Sequence, residues 1–259
     1  MNRTKIDWCS RTWNPVTGCY HHCPYCYAAN IATRFTHKTS SDKWSFWEEM
    51  GWCRRRFNAH HTRSLNKLYT DAGGYNFPFG FAPTFRRWRL DEPAKVRKSQ
   101  NVFVCSMADL FGDWVPLDWI RDVLDACVAA PQHRYLFLTK NPSRYTDLGT
   151  IALLPHEENF WYGSTVTTDD DTGFYDSDRA IHTFLSVEPL LGPVNLSGGT
   201  PEWVIIGAET GNRINKVIPE RKWVDDIRAF CEKASIPAFY KDSLRKLFPD
   251  LPESRFPWK

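Results

Sequence analysis

The chain has 259 residues, 42% of them hydrophobic and 24% charged, and a net charge of +3. That length suits one α/β barrel of about 200 to 250 residues carrying an insertion, and the composition excludes both a disordered chain and a long apolar membrane span. Eight cysteines would suit a secreted disulfide scaffold, but a chain of this size needs no such staples, so reduced thiols or metal ligands are expected.

The segment from Met1 to Trp8 carries charges where an export signal needs an apolar stretch, and a cytoplasmic location is expected. A first strand is predicted near Thr12–Thr17. It leads into Gly18-Cys19-Tyr20-His21-His22-Cys23-Pro24-Tyr25-Cys26-Tyr27-Ala28, a C-x3-C-x2-C spacing with an aromatic residue before the third cysteine. Three thiolates this close can wrap one face of a cubane iron–sulfur cluster and leave its fourth iron without a protein ligand. A tetrahedral zinc held by the same cysteines with His21, His22 or Cys9 is the competing reading. The strand before the loop and the run of strands after it favour the cluster.

From about Thr36 to Gln100 the pattern is irregular and rich in Trp, Arg, Gly and Phe, which reads as an insertion. Between Gly51 and Gln100 eleven Lys or Arg stand against three acids, so this segment is +8 and the remainder −5. Arg54-Arg55-Arg56 and Arg86-Arg87-Trp88-Arg89 interleave with Trp52, Phe57 and Phe85. Cations that neutralise phosphates beside aromatics that stack on bases make a nucleic-acid surface, with Arg86, Arg87 and Arg89 as candidate substrate contacts. Solvated helix faces are the plain alternative.

From Asn101 onward, short apolar runs alternate with helical segments, as in parallel βα units. Strands are predicted at Asn101–Ser106, Arg134–Thr139, Phe160–Val166, His182–Val187, Glu202–Gly207 and Ile236–Tyr240. Helices are predicted at Leu117–Ala130, stopped by Pro131, and at Glu220–Ala234 after Pro219. An open doubly wound sheet and a partial or full β/α barrel both fit this alternation. Polar residues gather at the ends of the runs: Ser106 and Asp109, Thr139 and Lys140, Ser164 and Thr165, Ser186 and Glu188, Glu209, Lys241. The carboxyl ends of parallel strands are where ligands bind, so one shared site is expected. Of the remaining cysteines, Cys105 at a strand end is a candidate hydrogen-atom donor, with a core role as the alternative.

The cysteine motif in this context resembles the radical S-adenosylmethionine (SAM) superfamily. Trp13-Asn14-Pro15-Val16-Thr17-Gly18-Cys19, Ser106-Met107-Ala108-Asp109-Leu110-Phe111 and Leu138-Thr139-Lys140-Asn141-Pro142 look like a phage-associated, largely uncharacterised branch of it, across most of the chain. The resemblance implies a partial (β/α)6 barrel over residues 1–259 with the insertion at 36–100. It also implies a [4Fe–4S] cluster on Cys19, Cys23 and Cys26, SAM on the open iron, and an electron donor such as a flavodoxin or ferredoxin. Tyr25 would lie by the adenine. The superfamily's Gly-Gly-Glu-like stretch is absent in that spelling, and Ser106 and Asp109 occupy its place. Ser164, Glu188 and Glu209 are further candidates for SAM. Lys140 suits a SAM carboxylate, and Lys241 an anionic substrate. Three functions remain open: radical-SAM modification or isomerisation of a nucleic-acid base, with hypermodified thymine in phage DNA as the specific candidate; the same chemistry on a peptide or small molecule; and a non-catalytic zinc module that binds nucleic acid.

Overall fold

The computed structural model describes residues 1–35, 69–70, 77 and 79–258. Strand β1 (Asn2–Arg3) pairs antiparallel with β2 (Arg11–Trp13), and β3 (Val16–Thr17) follows. The single strand expected over Thr12–Thr17 is thus two, because Pro15 fixes its own backbone and has no N–H for the ladder. Asn14 turns its side-chain carbonyl to the Met107 amide at 3.0 Å and the Ser106 hydroxyl at 3.2 Å. Helix α1 (Tyr27–Phe35) comes next, then β4 (Tyr69–Thr70), β5 (Thr84–Phe85) and a 3₁₀ turn at Arg87–Arg89. β3 and β4 flank β5 in a small three-stranded sheet, so the described part of the expected insertion is anchored on the chain just before the cysteines. Trp52, Arg54–Arg56 and Phe57 lie outside the described residues.

The regular half follows as β6 (Asn101–Val104), α2 (Leu117–Val128), β7 (Arg134–Thr139), α3 (Ser143–Thr150), β8 (Phe160–Thr165), β9 (His182–Val187), β10 (Trp203–Ile206), α4 (Arg221–Lys233), β11 (Ala238–Tyr240) and α5 (Asp242–Arg245). The six predicted strands and two predicted helices are present to within one or two residues at most ends, and α3 and α5 are additional. The sheet order is β1-β2-β6-β7-β8-β9-β10-β11, and every pair after the first is parallel. Seven parallel strands are present, one more than a (β/α)6 repeat supplies. Their order follows the chain without the reversal that a doubly wound sheet requires. The β8–β9 and β9–β10 connections contain turns in place of helices.

Alternation along the strands sorts the core into two faces. Val102, Val104, Tyr135, Phe137, Phe160 and Tyr162 pack on α2 and α3. Leu185, Val187, Val204, Ile206, Ala238 and Tyr240 pack on α4 and α5. The opposite face of the same strands supplies Phe103, Leu136, Trp161, Phe184, Trp203, Ile205 and Phe239, all in one cluster around Trp8. Trp8 is 2% exposed and touches the rings of Phe103, Phe184 and Trp203. One indole in contact with β6, β9 and β10 requires a strongly curled sheet. Gly163 makes room for it, since a Cβ there would lie 2.3 Å from the Phe184 ring. Phe256 and Trp258 pack against the same cluster from the chain's other end. No described helix is long and apolar enough to cross a membrane.

Candidate functional site

Above the aromatic cluster, at the carboxyl ends of the parallel strands, a cleft of about 850 Å³ opens. Cys19, Cys23 and Cys26 line it together with Tyr25, Ser106, Asp109, Lys140, Glu188, Glu209 and Lys241, residues drawn from five strand ends and the loop before α1. Ser164 and Cys105 do not. Thr165 faces the cleft instead, and Ser164, its neighbour in the alternation, accepts the Phe174 amide at 2.7 Å on the other face. Cys105 is 2% exposed in the core beneath α2, with its thiol pushed up to about 12 by burial. A hydrogen-atom donor must reach the substrate, and this thiol does not.

The cysteine loop is held at both ends. Gly18 has φ +90° and comes so close to Ala82 that a Cβ would lie 2.2 Å from its carbonyl oxygen. Only glycine fits such an approach. The Gly18 amide donates to Met107 O at 2.8 Å and the Cys19 amide to Phe81 O at 3.1 Å. At the far end the Cys26 amide donates to Cys23 O at 3.1 Å, α1 starts at the next residue, and the Ala29 amide lies 3.4 Å from Cys26 Sγ. Burial pushes the Cys19 thiol well above its usual range. It also raises Cys23, against the opposing charge of Lys140. Among the described residues, no three or more His, Cys, Asp or Glu side chains converge as ligands of a single metal ion do.

Asp109 is 5% exposed, and its carboxylate accepts from four donors. The Phe111 amide reaches Oδ1 at 3.0 Å, while Thr139 Oγ1 (3.0 Å), the Lys140 amide (2.9 Å) and His21 Nε2 (2.7 Å) reach Oδ2. Burial alone would raise its pKa, but His21 and the other donors outweigh that and hold it below the ordinary aspartate value. An ionised carboxylate only accepts, so His21 carries the proton on Nε2. Lys140 extends its ammonium over the Tyr25 ring at 5.8 Å. Tyr27 donates its hydroxyl to Ser106 O at 2.6 Å and ties α1 to the end of β6.

The opposite wall carries a second set of charges. Lys241 pairs directly with Glu188 and lies 3.9 Å from Asp7 Oδ1, while Asp7 Oδ2 accepts the Asp242 amide at 3.0 Å. Gly207 leaves space for the pair: a Cβ would fall 2.9 Å from Lys241 Cδ and 3.1 Å from Glu188 Cγ. Glu209 receives a two-pronged grip from Arg213, at 2.6 and 2.7 Å, and the Val217 amide at 3.3 Å. The Arg213 hydrogen bonds hold Glu209 below its usual pKa. This clasp fixes the 210–218 loop, whose Lys216, Val217 and Ile218 form part of the cleft's rim.

Arg86, Arg87 and Arg89 do not line the cleft, and their charges are engaged within the protein. Arg86 is 4% exposed beside the Phe77 ring. Arg89 is 8% exposed, pairs with Glu92 at 2.8 and 3.0 Å, and reaches Asn14 O at 3.4 Å. Arg87 binds Asp122 of α2 at 2.7 Å. For Arg86 and Arg89, both the nucleic-acid surface and the solvated helix face are therefore replaced by burial against the insertion and the first strands, while Arg87 stays on a solvated face, paired to α2. Asp7, Trp8 and Tyr27 are cleft residues that the sequence did not single out, and His21, there a candidate zinc ligand, meets Asp109 in the cleft. Asp7 and Trp8 read as a tail before the first strand, and the partner of His21 lies 88 positions away.

A family model described as a protein of unknown function (DUF5131) matches residues 3–245. No curated protein and no solved structure matches the chain.

Proposed function

For this chain, a member of the DUF5131 family, we propose a radical-SAM activity, with Cys19, Cys23 and Cys26 holding a [4Fe–4S] cluster and SAM bound beside it in the cleft of a partial β/α barrel. The observation that carries this reading is that one cleft, at the carboxyl ends of the strands, is lined both by all three cysteines of the loop and by polar residues from five strand ends. The donor set fits the cluster. Three thiols come from one eight-residue loop, and the other described cysteines (Cys9, Cys105, Cys127 and Cys231) lie outside the cleft, so the fourth corner would face the open cavity. A cubane gives each thiolate its own iron, whereas one zinc needs its ligands gathered at a single point. The sequential strand order, helices on one face and a shared aromatic interior are what support the partial barrel.

When bound, the cluster and SAM would supply a 5′-deoxyadenosyl radical able to take hydrogen from an unactivated carbon. The chain's own residues orient and shield. Tyr25 and Lys140 meet beside the loop, where Tyr25 would face the adenine and Lys140 the carboxylate. The aromatic floor around Trp8 keeps water from below. Lys241 and Glu188 offer one charge of each sign on the far wall. As substrate we propose a nucleic-acid base or nucleotide, with a mass-neutral isomerisation as the specific candidate. Support for that choice is the +8 segment at 51–100. The engagement of Arg86, Arg87 and Arg89 withdraws three of its charges and gives weight to a second reading, a peptide or small-molecule substrate.

The test is anaerobic reconstitution, with iron, sulfide and 5′-deoxyadenosine measured alongside the Cys19→Ala, Cys23→Ala and Cys26→Ala variants. Iron–sulfur absorbance and SAM cleavage in the parent chain, abolished in each variant, are expected. One zinc per chain without that absorbance would sink the proposal. Turnover on DNA that falls steeply as salt rises separates the nucleic-acid substrate from a small molecule.

A further inference from the structure

We infer that Asp109 is a positioning residue for the cysteine loop: through His21 it fastens the span between Cys19 and Cys23 to the end of β7, and so sets how the three thiols are presented. This role rests on the proposed cluster site for its purpose, while the fastening itself is a property of the loop.

Three segments meet on this one carboxylate. Its own turn contributes the Phe111 amide, the end of β7 contributes Thr139 Oγ1 and the Lys140 amide, and the cysteine loop contributes His21 Nε2 at 2.7 Å, the shortest of the four. A carboxylate has about four lone-pair directions, and here three donors crowd Oδ2 while one reaches Oδ1. Most of Asp109's acceptor capacity is therefore committed within the protein. What it can do is transmit position. The His21 ring is also closed in by Trp114, packed edge-on at 4.8 Å, and Trp114 meets Tyr20 at 5.6 Å. His22 follows in the left-handed region, at φ 54°. The chain thus reverses sharply between the first and second cysteines, and His21 is anchored at that reversal to a buried, ionised group. Lys140, whose amide is held by the same carboxylate, places its ammonium over Tyr25, two residues beyond Cys23. One side chain therefore registers the loop against the β7 end from which Lys140 reaches it.

Substitution separates a hydrogen-bonding anchor from simple filling of space. In Asp109→Asn either orientation of the amide sets an N–H₂ against an existing donor. His21→Leu removes the donor and keeps the bulk, whereas His21→Gln keeps an N–H at about the position of Nε2. In metal-free protein, amide hydrogen exchange across residues 18–26 should quicken at least about tenfold in Asp109→Asn and His21→Leu, the opening expected when a hydrogen bond to a charged group is lost. His21→Gln should stay near the parent rate. After reconstitution, iron retention and the electron paramagnetic resonance line shape of the reduced cluster should rank the variants in the same order. Parent-like exchange and line shape in both Asp109→Asn and His21→Leu would overturn the inference, as would a His21→Gln variant as loose as His21→Leu, which would assign the anchoring to ring packing on Trp114. If Asp109→Asn fails to fold, the two His21 variants decide alone. A parent chain that takes up no iron defeats the proposed function and leaves the exchange result to judge the anchor.

Discussion

The two ends of the cleft hold their charges in opposite ways. At the cysteine end, Asp109 is spent on backbone amides, a hydroxyl and His21, so the arrangement is set before any ligand arrives. At the far wall, Lys241, Glu188 and Asp7 pair side chain to side chain, with Lys241 and Glu188 15% and 24% exposed. Fixed dipoles favour a group that must sit in one geometry. Ion pairs between side chains can exchange partners with an incoming ligand at small cost. The first end thus suits a permanent cofactor and the second a molecule that comes and goes.

The sharpest way to break this contrast is Gly18→Ala. The new methyl would need to occupy the space of the Ala82 carbonyl, at a backbone conformation that side chains avoid, so a loss of about 3 kcal/mol or more is expected. Iron uptake should fall with it, as followed by denaturant unfolding and iron assay. A stable variant with full uptake would show that the cysteine end is not rigid. Next in size is the far wall. A double-mutant cycle on Glu188→Gln and Lys241→Met should give a coupling of about 1 to 2 kcal/mol, because the pair is mostly buried. Little loss of cluster should accompany it. A coupling under about 0.5 kcal/mol, the size of a solvated surface pair, would contradict the partnership described here.

The smallest expected effect concerns the Glu209–Arg213 clasp. Its carboxylate titrates below the ordinary glutamate value of 4.5, so the stabilisation is complete above that pH and is lost as pH falls through the lowered native value. Proteolysis of the 210–218 loop should therefore rise on acidification in the parent chain. In Glu209→Gln it should be raised at every pH and change little with acid. A pH-independent parent would remove the clasp from the comparison.

Much of this was legible in the sequence because it depends on local pattern. The apolar runs from Asn101 onward fix strand positions, and the polar residues ending them meet in one cleft. Ser164 and Thr165 show where the reading lost resolution. Both are small hydroxyl residues at a strand end, and only the facing of β8, seen in Trp161 and Gly163, decides between them. Charge misled at Arg86 and Arg89, since guanidinium groups in a run read as surface until partners distant in sequence, such as Asn14 for Arg89, are known. Asp109 was noticed as a polar strand-end residue. Its bond to His21 was not, because no short-range pattern encodes a contact 88 residues apart.

The sheet's outer strands are β1 and β11, and among the described residues no backbone ladder joins them. Across that seam lie the Asp7 contacts with Lys241 and the Asp242 amide. The segment after β1 and the end of β11 are therefore joined by a side-chain latch in place of a strand pairing. Replacing Asp7 with Ala removes both of these contacts at once and leaves the sheet's own ladders untouched.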